Sequence, residues 1–129
     1  MDKNHYTCHF YMSGGSRGEA EYKLEARFEL TNDEYDQAID ALTENNGCFN
    51  AELPDAMYEA IREVAIEQLY EDAADYNLGD LDDIDNWIPG WEDLSTDELV
   101  GIIRRNPDLR NRLVDISAVG EVIGHVSLP

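Results

Sequence analysis

Positive charge is what this chain has least of. Nine of its 129 residues are Lys or Arg, against 29 Asp and Glu, for a formal net charge of −20 at pH 7. Only Lys3 and Lys23 are lysines. A surface this acidic repels phosphate, which argues against direct nucleic-acid binding and against an anionic membrane. It favours cationic partners such as basic proteins or metal ions. Cysteine is scarce too. Cys8 and Cys48 allow at most one bridge, a poor scaffold for a secreted domain of this size, so the expectation is a cytoplasmic protein with both thiols free. No apolar run approaches the roughly 18–20 residues of a membrane span. The start, Met1-Asp2-Lys3-Asn4-His5, has no apolar signal core. Repeats, linkers and low-complexity blocks are absent as well.

What is present is a globular pattern. At 43% hydrophobic residues, arranged in periodic runs, the chain can bury a core despite its charge. Its length suits one domain over residues 1–129. Residues 5–12 and 19–30 alternate: Tyr6, Cys8, Phe10 and Met12, then Ala20, Tyr22, Leu24, Ala26, Phe28 and Leu30, share one face. Period two predicts two half-buried strands, and the glycine-rich stretch 13–18 between them predicts a β-hairpin turn.

Helical signals follow. Thr31 with Glu34 three residues on is a capping box, the stripe Tyr35, Ala38, Ile39 and Leu42 marks a helix, and Asn45-Asn46-Gly47 stops it. Residues 54–75 predict a longer helix, about 32 Å at 1.5 Å per residue, with Asn77 to Gly79 ending it. Residues 80–93 are irregular and acidic, with Pro89-Gly90 at the centre of a type II turn. Ser95 and Glu98 predict a second capping box, and Asn106-Pro107 restarts a helix through about Val114. Residues 121–128 read as a third strand with Val122, Val126 and Leu128 on one face. The fold class is therefore α+β: an N-terminal antiparallel hairpin and a C-terminal third strand, with three to four helices packed on one face.

Catalytic patterns do not emerge. His5 and His9 share a strand face but lie about 13 Å apart at four-residue spacing, too far to hold one metal ion. Cys8 points away from His9, which makes a poor nucleophile–base pair. From Asp80 or Asp83 the EF-hand spacing fails, because position 5 falls on Ile84 or Trp87. The glycines at 14–18 precede a strand, so no helix N-terminus is there to hold phosphate. The expectation is a protein that is not an enzyme, with no cofactor and no dedicated metal site.

The strongest signal is the placement of acid. On the long helix Asp55, Glu59, Glu63, Glu67, Glu71 and Asp75 recur every fourth residue, and the series continues into Asp80, Asp82, Asp83 and Asp85. Between Arg62 and Arg104 the chain holds 13 acids and no base. Like charges at this spacing oppose the helix by roughly 0.2–0.5 kcal/mol per pair, so packing of the apolar stripe has to override them. Successive ladder acids rise about 6 Å along the axis, against about 3.4 Å per phosphate on one DNA strand. The helix alone is too sparse to imitate a nucleic acid, and the loop acids would have to fill in.

The expected binding surface therefore comprises Glu59, Glu63, Glu67, Glu71, Asp75, Asp80, Asp82, Asp83 and Asp85, with Trp87 and Trp91 as aromatic anchors or, structurally, as pins of the loop. Its expected partner is a basic protein surface, engaged in the sharpest form by imitation of a nucleic acid. One alternative is a calcium-binding module or metal-dependent enzyme centred on residues 80–93. Another is a structural domain whose charge serves solubility alone. Arg104, Arg105, Arg110 and Arg112 hold four of the nine bases and suit pairing with acids of the same molecule or of a second copy, which would make a homo-oligomer. In composition the chain resembles small acidic inhibitors of restriction or CRISPR nucleases and acidic immunity proteins that block basic toxins. That likeness is of charge alone and covers no alignable segment.

Overall fold

Two alternating segments find each other as the pattern demands. In the structure, a computed structural model that describes residues 2–14, 20–114 and 119–128 (backbone alone for 13, 14, 20, 21 and 122), β1 (Asn4–Gly14) pairs antiparallel with β2 (Ala20–Leu30) without a register slip. Cys8, Phe10, Met12, Ala26, Phe28 and Leu30 are buried on one face. The other face stays wet, and cross-strand partners His5–Glu29 and His9–Glu25 approach to 3.3 Å each. Ser13 and Gly14 belong to the strand region, and the rest of the expected turn lies outside the described residues.

The C-terminal strand β3 (Ile123–Ser127) adds to the free edge of β1, giving an antiparallel sheet of order β2-β1-β3. It is shorter than residues 121–128, because Glu121 and Val122 belong to a helical turn, Val119–Val122. Its inward set also differs. Ile123 and Val126 are both buried although three residues apart. Met12 pairs with Ile123 and Phe10 with Val126, so Gly124 and His125 together oppose Tyr11, and this bulge breaks the period of two.

Helix α1 (Asn32–Glu44) begins with the full capping box: Glu34 N–H donates to Thr31 Oγ1 at 3.2 Å, and Thr31 N–H to the Glu34 carboxylate at 3.0 Å. It stops as Asn45-Asn46-Gly47 requires. Asn46 is left-handed at φ +57° and Gly47 N–H donates back to Leu42 O at 2.7 Å, the closing bond of a Schellman motif.

Helix α2 (Asp55–Asp72) carries Met57, Ile61 and Ala65 fully buried against the sheet. It does not run to residue 75 as a regular helix. Ala73–Asn77 forms a π turn and Leu78–Asp80 a 3₁₀ turn. Contacts four residues apart drift about 40° per step on an α-helix. A wider turn rotates less per residue and takes that drift back, so Tyr70, Ala74 and Leu78 can share one buried face.

That face belongs to a second apolar cluster. α3 (Ile84–Trp87), α4 (Thr96–Arg105) and α5 (Pro107–Leu113) pack on the end of α2 through Ile84, Leu99, Ile103 and Leu109. The sheet, α1 and the start of α2 make the first cluster, and Ile66 and Leu69 of α2 touch both. Between α3 and α4, Trp91 N–H donates to Ile88 O at 3.2 Å with Gly90 at φ +74°, as a type II turn prescribes. The second capping box is only half formed. Ser95 Oγ accepts from Glu98 N–H at 3.3 Å, but the Glu98 carboxylate takes the Ser95 hydroxyl instead of the backbone N–H.

Candidate acidic interaction surface

With its apolar stripe committed to both clusters, α2 turns the acids of the ladder outward. Asp55, Glu59, Glu63, Glu67 and Glu71 are all exposed, as is Asp75 on the π turn. The charge is nonetheless interrupted. Arg104, at the end of α4, makes an ion pair with Glu67 in the middle of the ladder. Asp75 accepts a 2.9 Å hydrogen bond from the Thr96 hydroxyl, which ties the π turn to the start of α4, where the helix dipole favours an anion. The unpaired acids on either side of Glu67, Glu63 and Glu71, lie about 12 Å apart along the axis at 1.5 Å per residue. Helical spacing alone thus matches a phosphate backbone even less well than the bare sequence implies.

The loop acids divide in the same way. Asp83 is held by both oxygens to Arg112 Nη1, at 3.1 and 3.0 Å, and accepts from the Trp87 indole N–H at 3.0 Å. The Arg112 guanidinium also lies over the Trp87 ring, 5.7 Å from its centroid. Arg112 and the indole hold the Asp83 carboxyl below its ordinary pKa. Asp80, Asp82 and Asp85 stay exposed and carry no ion pair to a described base.

Trp87 and Trp91 are both half-buried and pack against the second cluster. Trp91 also lies beside Gly79, where an added Cβ would meet its ring at 3.7 Å. Of the four clustered arginines, Arg104 and Arg112 are spent on these pairs, Arg110 is half-buried and Arg105 is exposed.

A shallow groove of about 370 Å³ runs between α2 and β2, with Leu24 and Val64 in its floor and Glu63, Glu67 and Glu71 along its rim. A second groove of about 590 Å³ lies on α1, lined by Asp33, Asp36, Asp40, Glu44 and Glu52. The α1 acids were not singled out from sequence, although they recur at helical spacing on the face opposite the Ala38–Leu42 stripe.

Asp72 was also missed. It sits 11 residues beyond Ile61, on the apolar stripe and off the ladder, and is only 5% exposed. Its Oδ1 accepts from the Tyr22 hydroxyl at 2.8 Å and from Gln68 Nε2 at 3.3 Å, while Oδ2 has no hydrogen-bond partner among the described residues. The bond to Asp72 is the main reason the Tyr22 hydroxyl is pushed up to about 12, with burial adding to it. An acid falling on a stripe position was the available signal.

Among the described residues no group of three or more His, Cys, Asp or Glu side chains is placed to hold a metal ion, and no helix is long and apolar enough to cross a membrane. Comparison with protein-family models, with curated proteins and with solved structures yields no match. The functional reading therefore rests on the chain's own physics.

Proposed function

We propose that this chain is a protein-binding module with no reaction of its own, whose acidic face on α2 and the following loop engages a basic protein surface. Where that surface is a nucleic-acid site, as on a nuclease, the module competes with the nucleic acid for it. One observation carries the reading. Glu59, Glu63 and Glu71 on α2, and Asp80, Asp82 and Asp85 after it, are exposed and make no ion pair with a described base, on or directly after an element anchored in two apolar clusters. Exposed charges of one sign gathered on one packed element raise the local concentration of cationic partners and steer their approach.

A second reading, in which the charge serves solubility alone, is favoured by the acids lining the groove on α1, since acid is then not confined to one face. Affinity capture from a lysate separates the two. One variant carries Glu59→Gln, Glu63→Gln and Glu71→Gln, another Asp80→Asn, Asp82→Asn and Asp85→Asn, and a control carries Asp36→Asn, Asp40→Asn and Glu44→Gln. The proposal expects the first two to lose basic proteins that the wild type and the control retain. It also expects those proteins to elute as salt rises from about 0.1 to 1 M, where the screening length falls from about 10 to 3 Å. Equal capture by all four proteins, or equal loss from all three variants, refutes a localised surface.

A further inference from the structure

The sheet has two outer edges, and the described chain covers one of them. Along β3, Cys48 forms an antiparallel bridge to His125 and Val126 N–H donates to Gly47 O at 2.7 Å, so the turn after α1 closes that side. β2 lies at the opposite edge and pairs with β1 alone. Among the described residues no backbone hydrogen bond from outside the hairpin reaches it. Every second residue of an edge strand turns its N–H and C=O away from its partner, so β2 presents an open row of donors and acceptors. Its 11 residues include no proline and no register slip, two of the devices that blunt an exposed edge.

A groove opens beside this edge. Leu24 pairs with Phe10 and Tyr22 with Met12. The two β1 residues are fully buried, while Leu24 and Tyr22 are half-buried, so the less covered part of the inward face is its β2 side. There α2 runs back along the strand: Tyr22 bonds Asp72, and Leu24 borders the groove of about 370 Å³ lined by α2 from Glu63 to Glu71. Leu24 and Val64 make the floor apolar, and the rim is acidic.

The spacing suits an extended chain. On a strand, side chains at i and i+4 lie about 13 Å apart on one face, with that of i+2 between them. Glu63 and Glu71 stand about 12 Å apart along α2, the distance that fits a phosphate backbone poorly. Glu67 between them is already held by Arg104. A strand laid against β2 can therefore set one base at each end of the groove, while its middle residue meets Leu24 and Val64.

We propose that the free edge of β2 and this groove bind an extended segment of pattern basic–x–aliphatic–x–basic by strand addition. The inference rests on the acidic face being a binding surface, and it adds the form the partner takes there: a strand with bases at i and i+4. Charge complementarity selects this occupant. A second copy adding its own β2 around a two-fold axis would lay its α2 on the same side of the sheet and bring like charges together.

The probe is the peptide acetyl-Ser-Lys-Thr-Val-Thr-Lys-Ser-amide. Its control, acetyl-Ser-Lys-Val-Thr-Thr-Lys-Ser-amide, keeps charge and composition but turns the valine to the other face. Calorimetry at low salt is expected to show one probe bound per chain and the control about tenfold weaker, the loss that follows when an apolar side chain forgoes about half its burial. Glu63→Gln with Glu71→Gln is expected to weaken the probe about fivefold, as two exposed ion pairs imply, and Asp80→Asn with Asp82→Asn to change it far less. In the wild type, the bound probe is expected to slow amide exchange at every second residue of β2, read by NMR. Equal binding of probe and control, or a bound probe without slowed exchange in β2, overturns the proposal and leaves the broader acidic surface standing, because the peptides then bind by charge alone. Absence of probe binding overturns it too, and the lysate capture then decides the broader reading separately.

Discussion

The buried carboxylate of Asp72 makes Tyr22→Phe the most informative single change in this protein. The substitution keeps the ring and removes one hydroxyl, the closer of the two donors to Asp72 at 2.8 Å, leaving Gln68 at 3.3 Å. Asp72 is 5% exposed and its other oxygen already lacks a partner, so water cannot readily replace the lost donor. Hydrogen bonds to charged groups contribute roughly 1.5–3 kcal/mol. Tyr22 is only partly buried, so the lower half of that range applies, about 1.5–2 kcal/mol. At about 2.1 cal/mol/K per residue, 129 residues give an unfolding entropy near 0.27 kcal/mol/K, and the expected fall in Tm is about 6–7 °C. Scanning calorimetry at pH 7 measures it.

The same bond leaves a spectroscopic mark. Ultraviolet titration of the wild type should show a tyrosine ionising near 12 that Tyr22→Phe lacks. The sign of the linked stability follows. With the native pKa raised above the ordinary 10, the native state holds its proton longer, so the contribution is complete below pH 10 and is lost as pH rises towards 12. A Tm within about 2 °C of wild type, which is about 0.5 kcal/mol on the same entropy, with the high-pH tyrosine still present, would show that Tyr22 is not the donor and refute the reasoning.

Two further changes probe the start of α1 and the acidic loop. Thr31→Ala removes the side chain that caps α1 and should cost about 1 kcal/mol by thermal or urea denaturation; the Glu34 carboxyl is held low first by the backbone N–H of Thr31, which alanine keeps, and second by its side chain, which alanine lacks, so it should titrate somewhat closer to its ordinary range by NMR. Asp83→Asn removes the negative charge that Arg112 and the Trp87 indole N–H donate to, so it should shift tryptophan fluorescence. Because the wild-type Asp83 carboxyl is lowered by Arg112, its contribution is present above the unfolded carboxylate pKa and is lost as pH falls through the native one. The pH dependence of the fluorescence midpoint in acid should therefore be weaker in Asp83→Asn than in wild type.

Local rules carried much of this architecture. Alternation along residues 5–12 and 19–30 places a strand's side chains on two faces whatever else the chain does, and it leads directly to the observed hairpin register. Thr31 with Glu34, and Asn46 with Gly47, act within a single turn, so the bounds of α1 could be read from neighbouring residues alone. The outward direction of the acids on α2 was equally legible, since a helix that buries Met57, Ile61 and Ala65 has to expose Glu59, Glu63 and Glu67.

Tertiary contacts decided the rest, because they join residues that share no local signal. Nothing near Glu67 or Asp83 announces that Arg104 and Arg112 will neutralise them; those pairs exist because α4 and α5 fold back on the end of α2. The π turn that ends the ladder answers to the second cluster and not to the propensity of Ala73–Asn77. Tyr22 meets Asp72, and Cys48 meets His125, only because a strand, a turn and a helix end are brought together by burial, which is blind to distance along the chain. The residues of the acidic ladder can thus be named from their period alone, while which of them remain unpaired is a property of the packed molecule.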